Sequence, residues 1–388
     1  MDEINFHFKS FVMAGFECTY ALAENRRRLD LLAATKHDQL VAEDYQLIKD
    51  VGIHTVREGL AWHQIDKGEG KYDFSRFIPM IEAAKEQGIQ QIWDLNHFDY
   101  PADLDPFSQE FVDRFAAYSQ AAIKTIRSYT DEEIYVVPLN EISFFSWIGA
   151  DMGWWAPYSK GRTNGFKFKC QLVTTAIKAM ESIWSIDKRV RFIQVDPYMR
   201  RVATQPASRA AKRHVKDFNQ LVRYEAWDML SGKTHPELGG KLKYLDIIGV
   251  NYYIHNQEWV ISPTVRGKRL MHQLIDWESP DRVSFSKMLQ DIFERYHRPM
   301  LISETGSFSE NRVKWWARTL SEIDEAAAMG LPVAGVCAYP VLDRPESAGF
   351  LLPNSGLWDF VIDDETCGRV PHHKTLALIQ EYMVRKHS

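Results

Sequence analysis

The sequence predicts an α/β fold, a single (β/α)8 TIM barrel built by residues 1–388 as one domain. Short apolar, β-branched runs alternate with longer amphipathic stretches, the pattern of parallel strands joined by crossover helices. The alternation runs eight times, and no Gly/Ser-rich or Pro-rich linker divides the chain. No Gly-rich phosphate loop follows the first strand, which disfavours a doubly wound open sheet.

The elements follow in order. The segment 10–16 (SFVMAGF) is the first strand. Residues 37–51 form a helix with Val41, Tyr45 and Ile48 on one face and Gly52 as its stop. Strand two covers 53–57. Phe74, Phe77, Ile78 and Ile81 stripe a helix that ends near Gly88, and strand three covers 89–95. Phe111, Phe115, Tyr118, Ala122 and Ile126 stripe the next helix, and strand four runs to Glu141. A helix over 166–184 precedes strand five at 190–195. A helix between 207 and 230 precedes strand six at 244–250. A helix over 284–296 leads into strand seven, which ends at Glu304. Val313, Trp316, Leu320, Ile323 and Ala327 stripe the helix before strand eight at 333–339, and a last helix covers 373–385. Pro138 falls inside strand four, where it predicts a missing ladder bond or a bulge.

Composition narrows the function classes. A net charge of −5 argues against nucleic acid as the main partner. No apolar run approaches membrane length. The start of the chain has neither a basic nor a long apolar signal region, and the four Cys (Cys18, Cys170, Cys337, Cys367) lack paired spacing. Packed, reduced thiols in a cytoplasmic protein are the expectation. The His372-His373 pair has no further spaced ligands, so neither a metal site nor a cofactor is expected.

A parallel barrel keeps its chemistry at the C-terminal ends of its strands. Those ends carry Glu17, Arg57, His97, Asn140 with Glu141, Asp196, Asn251 with Tyr253, Glu304 and Tyr339. Eight consecutive polar or ionisable tips point to a site rather than a solvated rim. Two of them, Glu141 and Glu304, end apolar runs and form a candidate acid/base and nucleophile pair.

In order and spacing these residues resemble glycoside hydrolase family 1, the β-glucosidase-like group within the large clan of (β/α)8 retaining glycosidases. Asn140-Glu141 matches the Asn-Glu of its acid/base. Ile302-Ser303-Glu304-Thr305-Gly306 resembles its Thr-Glu-Asn-Gly nucleophile motif. Arg57 with Trp62, the run from Leu95 through His97 to Pro101, and the run from Asp246 through Asn251 to Tyr253 match further motifs. The resemblance implies a retaining, exo-acting β-glycosidase acting on a small neutral carbohydrate or glycoside. Glu304 would be the nucleophile, held ionised and oriented by Arg57 and Tyr253, and Glu141 the acid/base. Asn140 would hold the sugar 2-hydroxyl and His97 the 3-hydroxyl. Glu17, Asn251, Trp62, Tyr339 and Glu346 complete the implied substrate contacts, Glu346 at the 4- and 6-hydroxyls.

The sequence also departs from the family. Tyr339 replaces the tryptophan floor of the sugar site, and Pro340 after it predicts a cis peptide bond. Ser347 replaces a tryptophan, Ile142 the usual proline, and Phe98 another tryptophan. Glu17 and Cys18 stand where the family has a Gln-bearing segment. Glu17 is expected either to contact a hydroxyl or to pair with an arginine such as Arg26. The loop after Glu141 holds Phe144, Phe145, Trp147, Trp154, Trp155 and Tyr158, either a stacking platform for the leaving group or a packed lid. Arg200, Arg201, Arg209, Lys212, Arg213 and Lys216 are read as a solvated face, with an anionic aglycone as the alternative. Transglycosylation, endo cleavage and a catalytically silent carbohydrate-binding barrel all remain compatible with the residues. The oligomeric state is left open.

Overall fold

A computed structural model describes residues 8–23, 26–262, 270–344, 354–362 and 367–387. Eight parallel strands close a barrel in sequence order: Val12–Gly15, Thr55–Gly59, Gln90–Asp94, Tyr135–Val137, Arg191–Pro197, Ile247–Asn251, Met300–Thr305 and Val333–Ala338. Strand one closes on strand eight, with Val12 opposite Val336 and Ala14 opposite Ala338. Met13, Ile92, Tyr135, Val137, Ile193, Val195, Ile247, Leu301 and Cys337 fill the barrel interior. The alternate residues of the strands pack outward against the helices, as a period of two requires.

The helices sit where their apolar stripes place them. Gln109–Arg127 buries Phe111, Phe115, Tyr118, Ala122 and Ile126, and Ser108 caps it by accepting from the Phe111 N–H. Ile78–Gln87 stops at Gly88, which takes the left-handed conformation. The predicted 207–230 helix is broken. It forms Arg209–Gln220, a single 3₁₀ turn, and Glu225–Ser231.

Strand four corrects two expectations. It ends at Val137, so Pro138 lies just beyond the ladder and costs it no hydrogen bond. Glu141 is therefore not a strand residue. It opens the short helix Ile142–Ser146 with φ 46° and ψ 62°.

Two small sheets were not foreseen. Arg200–Ala203, Gln257–Ile261 and Met271–Leu274 form one, and Trp358–Ile362 pairs with Cys367–Pro371 in the other. The basic cluster is dispersed by this arrangement. Arg201 pairs with Glu258 and lies 3.7 Å over the Phe218 ring, while Arg200 donates to the Asp281 carbonyl. Arg209, Lys212 and Arg213 are exposed on the helix Arg209–Gln220. No helix among the described residues is long and apolar enough to cross a membrane.

Candidate active site

Strand seven aims Glu304 through a local irregularity. Leu301 pairs with Gly249 and Glu304 with Asn251, so three steps on one strand oppose two on the other. The same offset recurs on the other side, between Ile302↔Val336 and Thr305↔Ala338. Leu301 points into the barrel. Strict alternation would send Glu304 outward, and the extra residue turns it back to the barrel mouth.

Arg57 is the hub of the site. It is 1% exposed and surrounded by acceptors. Its Nη1 donates to Glu304 Oε1 at 2.7 Å, and its Nε and Nη2 grip both Asp94 oxygens at 2.9 and 2.7 Å. Nη2 also donates to Asn140 Oδ1 at 2.7 Å. Burial alone would lower the guanidinium pKa, but Asp94 and Glu304 outweigh it and raise it. The Tyr253 hydroxyl donates to the other Glu304 oxygen at 2.8 Å. Both oxygens of Glu304 are thus held from opposite sides.

Glu141 has a different environment. Asn251 Nδ2 donates to its Oε1 at 2.8 Å, and Asn251 Oδ1 is fixed by the Ser303 hydroxyl at 2.7 Å. Burial, and then the Glu304 charge, push Glu141 well above the usual carboxylate range, while Asn251 and Arg57 pull the other way. Glu141 and Tyr253 keep partial exposure; Arg57, Asn140, Asn251 and Glu304 are buried.

His97 is fixed at both nitrogens. Nδ1 lies 2.8 Å from Asp94 Oδ2, and Nε2 lies 3.0 Å from Asn140 Nδ2. Asp94 only accepts and Asn140 Nδ2 only donates, which places the proton on Nδ1 and leaves Nε2 as acceptor. The Cys18 thiol approaches Nδ1 at 3.3 Å. Cys18, Asp94 and His97 bring their donor atoms within 4.8 Å, but both Asp94 oxygens are already engaged by Arg57.

Glu17 pairs with Arg344, not with Arg26. Its Oε1 also accepts from the Thr19 hydroxyl at 2.7 Å and the Tyr339 hydroxyl at 3.0 Å. Burial pushes Glu17 up, yet the Arg344 charge and the hydrogen bonds from Thr19 and Tyr339 hold it below the usual range. The Tyr339 ring stacks on His97, with centroids 5.8 Å apart at 9°. The Tyr339-Pro340 bond is cis, as expected.

Trp62 is not brought to this group. It is fully buried among Phe111, Phe115 and Tyr118 and donates its indole N–H to Asp66 at 3.1 Å. Its match to the family motif marks a packing position, because the helix that follows strand two turns the ring away from the mouth. Glu346 and Ser347 lie outside the described residues. Asp94 and Arg344 belong to the network and were not singled out from sequence. An acid between the apolar Ile92-Trp93 and Leu95 was the signal for Asp94, since a buried carboxylate needs a partner.

The family model of glycosyl hydrolase family 1 matches residues 22–234, more than half of the 388 residues. The chain belongs to glycosyl hydrolase family 1. The matched stretch holds Arg57, His97, Asn140 and Glu141; Asn251, Tyr253, Glu304 and Tyr339 lie beyond it. Among family relatives, beta-glucosidase 6 of Oryza sativa subsp. japonica is 31% identical over 124 residues, which cover 30% of this chain and 23% of that protein. Coniferin beta-glucosidase of Pinus contorta is 27% identical over 124 residues, 30% of this chain and 24% of that one. The chain thus spans about a quarter of the length of the curated relatives it matches. The family 1 β-glucosidase from Thermotoga maritima matches 98% of both chains with a TM-score of 0.77 at 17% identity. The same enzyme in complex with glucoimidazole matches 97% of this chain and 98% of that one, also with a TM-score of 0.77 at 17% identity. At that identity the likeness is one of fold.

Proposed function

We propose that this family 1 chain is a single-domain, retaining, exo-acting β-glycosidase that removes a β-linked neutral sugar from a small glycoside, in the cytoplasm and without a cofactor. The observation that carries this reading is the unequal treatment of two carboxyls at one barrel mouth. Glu304 is gripped at both oxygens by Arg57 and Tyr253. Glu141 is tied at one oxygen by Asn251, and burial and the Glu304 charge favour its protonated form. Paired carboxyls with separated roles are what a double displacement needs.

In the first step the Glu304 carboxylate attacks the anomeric carbon. The bond to the leaving oxygen breaks, and Glu141 gives that oxygen its proton. Glu304 becomes a neutral ester, so the repulsion that favoured protonated Glu141 goes. In the second step Glu141 takes a proton from water, water attacks the anomeric carbon, and the ester bond breaks. Asn140 Nδ2 donates one hydrogen towards His97 and has a second for the sugar 2-hydroxyl, where hydrogen bonds strengthen in an oxocarbenium-like transition state. A silent carbohydrate-binding barrel would have no chemical need for this unequal pair.

The test is hydrolysis of a panel of aryl β-glycosides by wild type, Glu304→Ala and Glu141→Ala. Expected is cleavage of at least one sugar by wild type, loss in Glu304→Ala, and azide rescue of that variant to give a glycosyl azide of inverted configuration. Equal cleavage by wild type and both variants would sink the assignment.

A further inference from the structure

Glu141 stands at the N-cap of the helix Ile142–Ser146, yet its side chain caps nothing there. A helix start leaves backbone N–H groups without partners, and an N-cap side chain usually accepts from one of them. Here Asp196, at the end of strand five, supplies that acceptor. Its Oδ1 takes the Ser143 N–H at 2.8 Å. The Glu141 backbone is held from the same strand, its N–H donating to the Val195 carbonyl at 3.1 Å. The Glu141 carboxyl is thereby released from its own helix and reaches Asn251 instead.

We propose that Asp196 is the positioning residue of the acid/base: its carboxylate holds the left-handed turn on which Glu141 stands, and its charge acts on the Glu141 carboxyl. The proposal rests on the reading of Glu141 as acid/base. Asp196 is 2% exposed. Among the described residues no cation pairs with it, because nearby Lys169 is paired with Glu225 at 2.6 Å. A buried carboxylate without a counter-ion is costly, and such groups gather at functional sites. Two side chains act on its charge from the packed helices, Lys169 from Arg162–Trp184 and Glu225 from Glu225–Ser231. Those acting on Glu141 are Glu304, Asp196, Arg57, Asn251 and Tyr253, from strands seven, five, two and six and the turn after strand six. Burial pushes Asp196 up to about 6, against the Ser143 hydrogen bond and Lys169, so its charge changes in the range where a glycosidase works. Asp196 raises Glu141 in the same direction as Glu304 but by less.

The experiment compares wild type, Asp196→Asn and Asp196→Ala by the pH profile of kcat/KM on two glycosides of one sugar, one with an activated dinitrophenyl and one with an alkyl leaving group. The asparagine oxygen still accepts from Ser143 but carries no charge. Expected for Asp196→Asn is an alkaline limb moved down by about one pH unit, with the acid limb unmoved. Expected for Asp196→Ala is a loss of about tenfold or more on the alkyl glycoside and little on the dinitrophenyl one, the mark of a displaced general acid. Equal losses on both glycosides with an unmoved profile would mean a merely structural role and would overturn the proposal. A direct titration of Glu141 by NMR of [δ-13C]glutamate, assigned with Glu141→Gln, reads the coupling without any substrate. A wild type inert on every glycoside would defeat the functional reading. A Glu141 midpoint unchanged in Asp196→Asn would defeat this proposal on its own.

Discussion

Glu17 spends its whole carboxylate on the protein, and what it holds is more telling than what it lacks. Thr19 and Tyr339 take one oxygen and Arg344 the other. Among the described residues, buried Arg344 Nε has no partner. Arg344 keeps 15% of its side chain exposed, and we predict that this donor, anchored by Glu17, meets a sugar at this wall. Arg344→Met is expected to weaken binding of a neutral glycone inhibitor by about tenfold, read by calorimetry, since a lost charged hydrogen bond costs about 1.5–3 kcal/mol. Gly15 is the second residue to test. A Cβ there would lie 2.4 Å from the Tyr339 ring, so Gly15→Ala is expected to push the ring off its seat, raise KM, and cost about 1–3 kcal/mol in urea denaturation. Most tips were legible because a polar residue after an apolar run is a one-dimensional signal. Arg344 was not, because its meaning depends on Glu17, a neighbour only in space.

At the scale of elements, rings lead outward from the site. His97 meets Phe98 at 4.8 Å between centroids, Phe98 meets Phe144 at 5.3 Å, Phe144 meets Trp147 at 5.8 Å, and Trp147 meets Trp154 at 5.8 Å. The aromatic loop divides its labour. Phe145 and Trp155 are buried as packing, while Trp147 and Trp154 are 42% and 39% exposed. Trp147→Ala is expected to raise KM for bulky aromatic leaving groups by about fivefold and to leave small alkyl ones unchanged, because stacking contributes about 0.5–1.5 kcal/mol. Strand and helix order could be read from periodicity, since each pattern is local. The helix that begins after Glu141 could not, nor the extra residue before Glu304. Both depend on register against neighbouring strands, which a single run does not carry. The small sheet of Arg200–Ala203, Gln257–Ile261 and Met271–Leu274 was missed for the same reason: its strands are short and far apart in the chain.

For the whole molecule, a buried charge network ties the last hairpin to the front of the barrel. His37 is fully buried between Asp44 at 2.8 Å and Glu58 at 3.0 Å, stacked on Phe16, and Arg369 from the hairpin pairs with Asp44 at 2.8 Å. Tyr45 donates to Glu58 at 2.7 Å. Burial would lower His37, but Glu58 and Asp44 raise it from 6.5 to about 9. The folded protein therefore holds this proton more tightly than the unfolded chain. The stabilisation is complete below pH 6.5 and is lost as pH rises through about 9, a change of about 3 kcal/mol. Urea midpoints should fall between pH 6 and 10 in wild type and stay flatter in His37→Gln. An equal fall in both would show that other groups set the alkaline limit. Barrel closure has a consequence of another kind. Gly15 and Glu17 come from the first strand to be made, and Tyr339 and Arg344 follow the last. While the chain emerges from a ribosome, that wall stays open to water, and its contacts are among the most remote in sequence, hence among the slowest to form. A sugar bound across this seam would act as a latch on the finished barrel, slowing its opening far more than it hastens its folding.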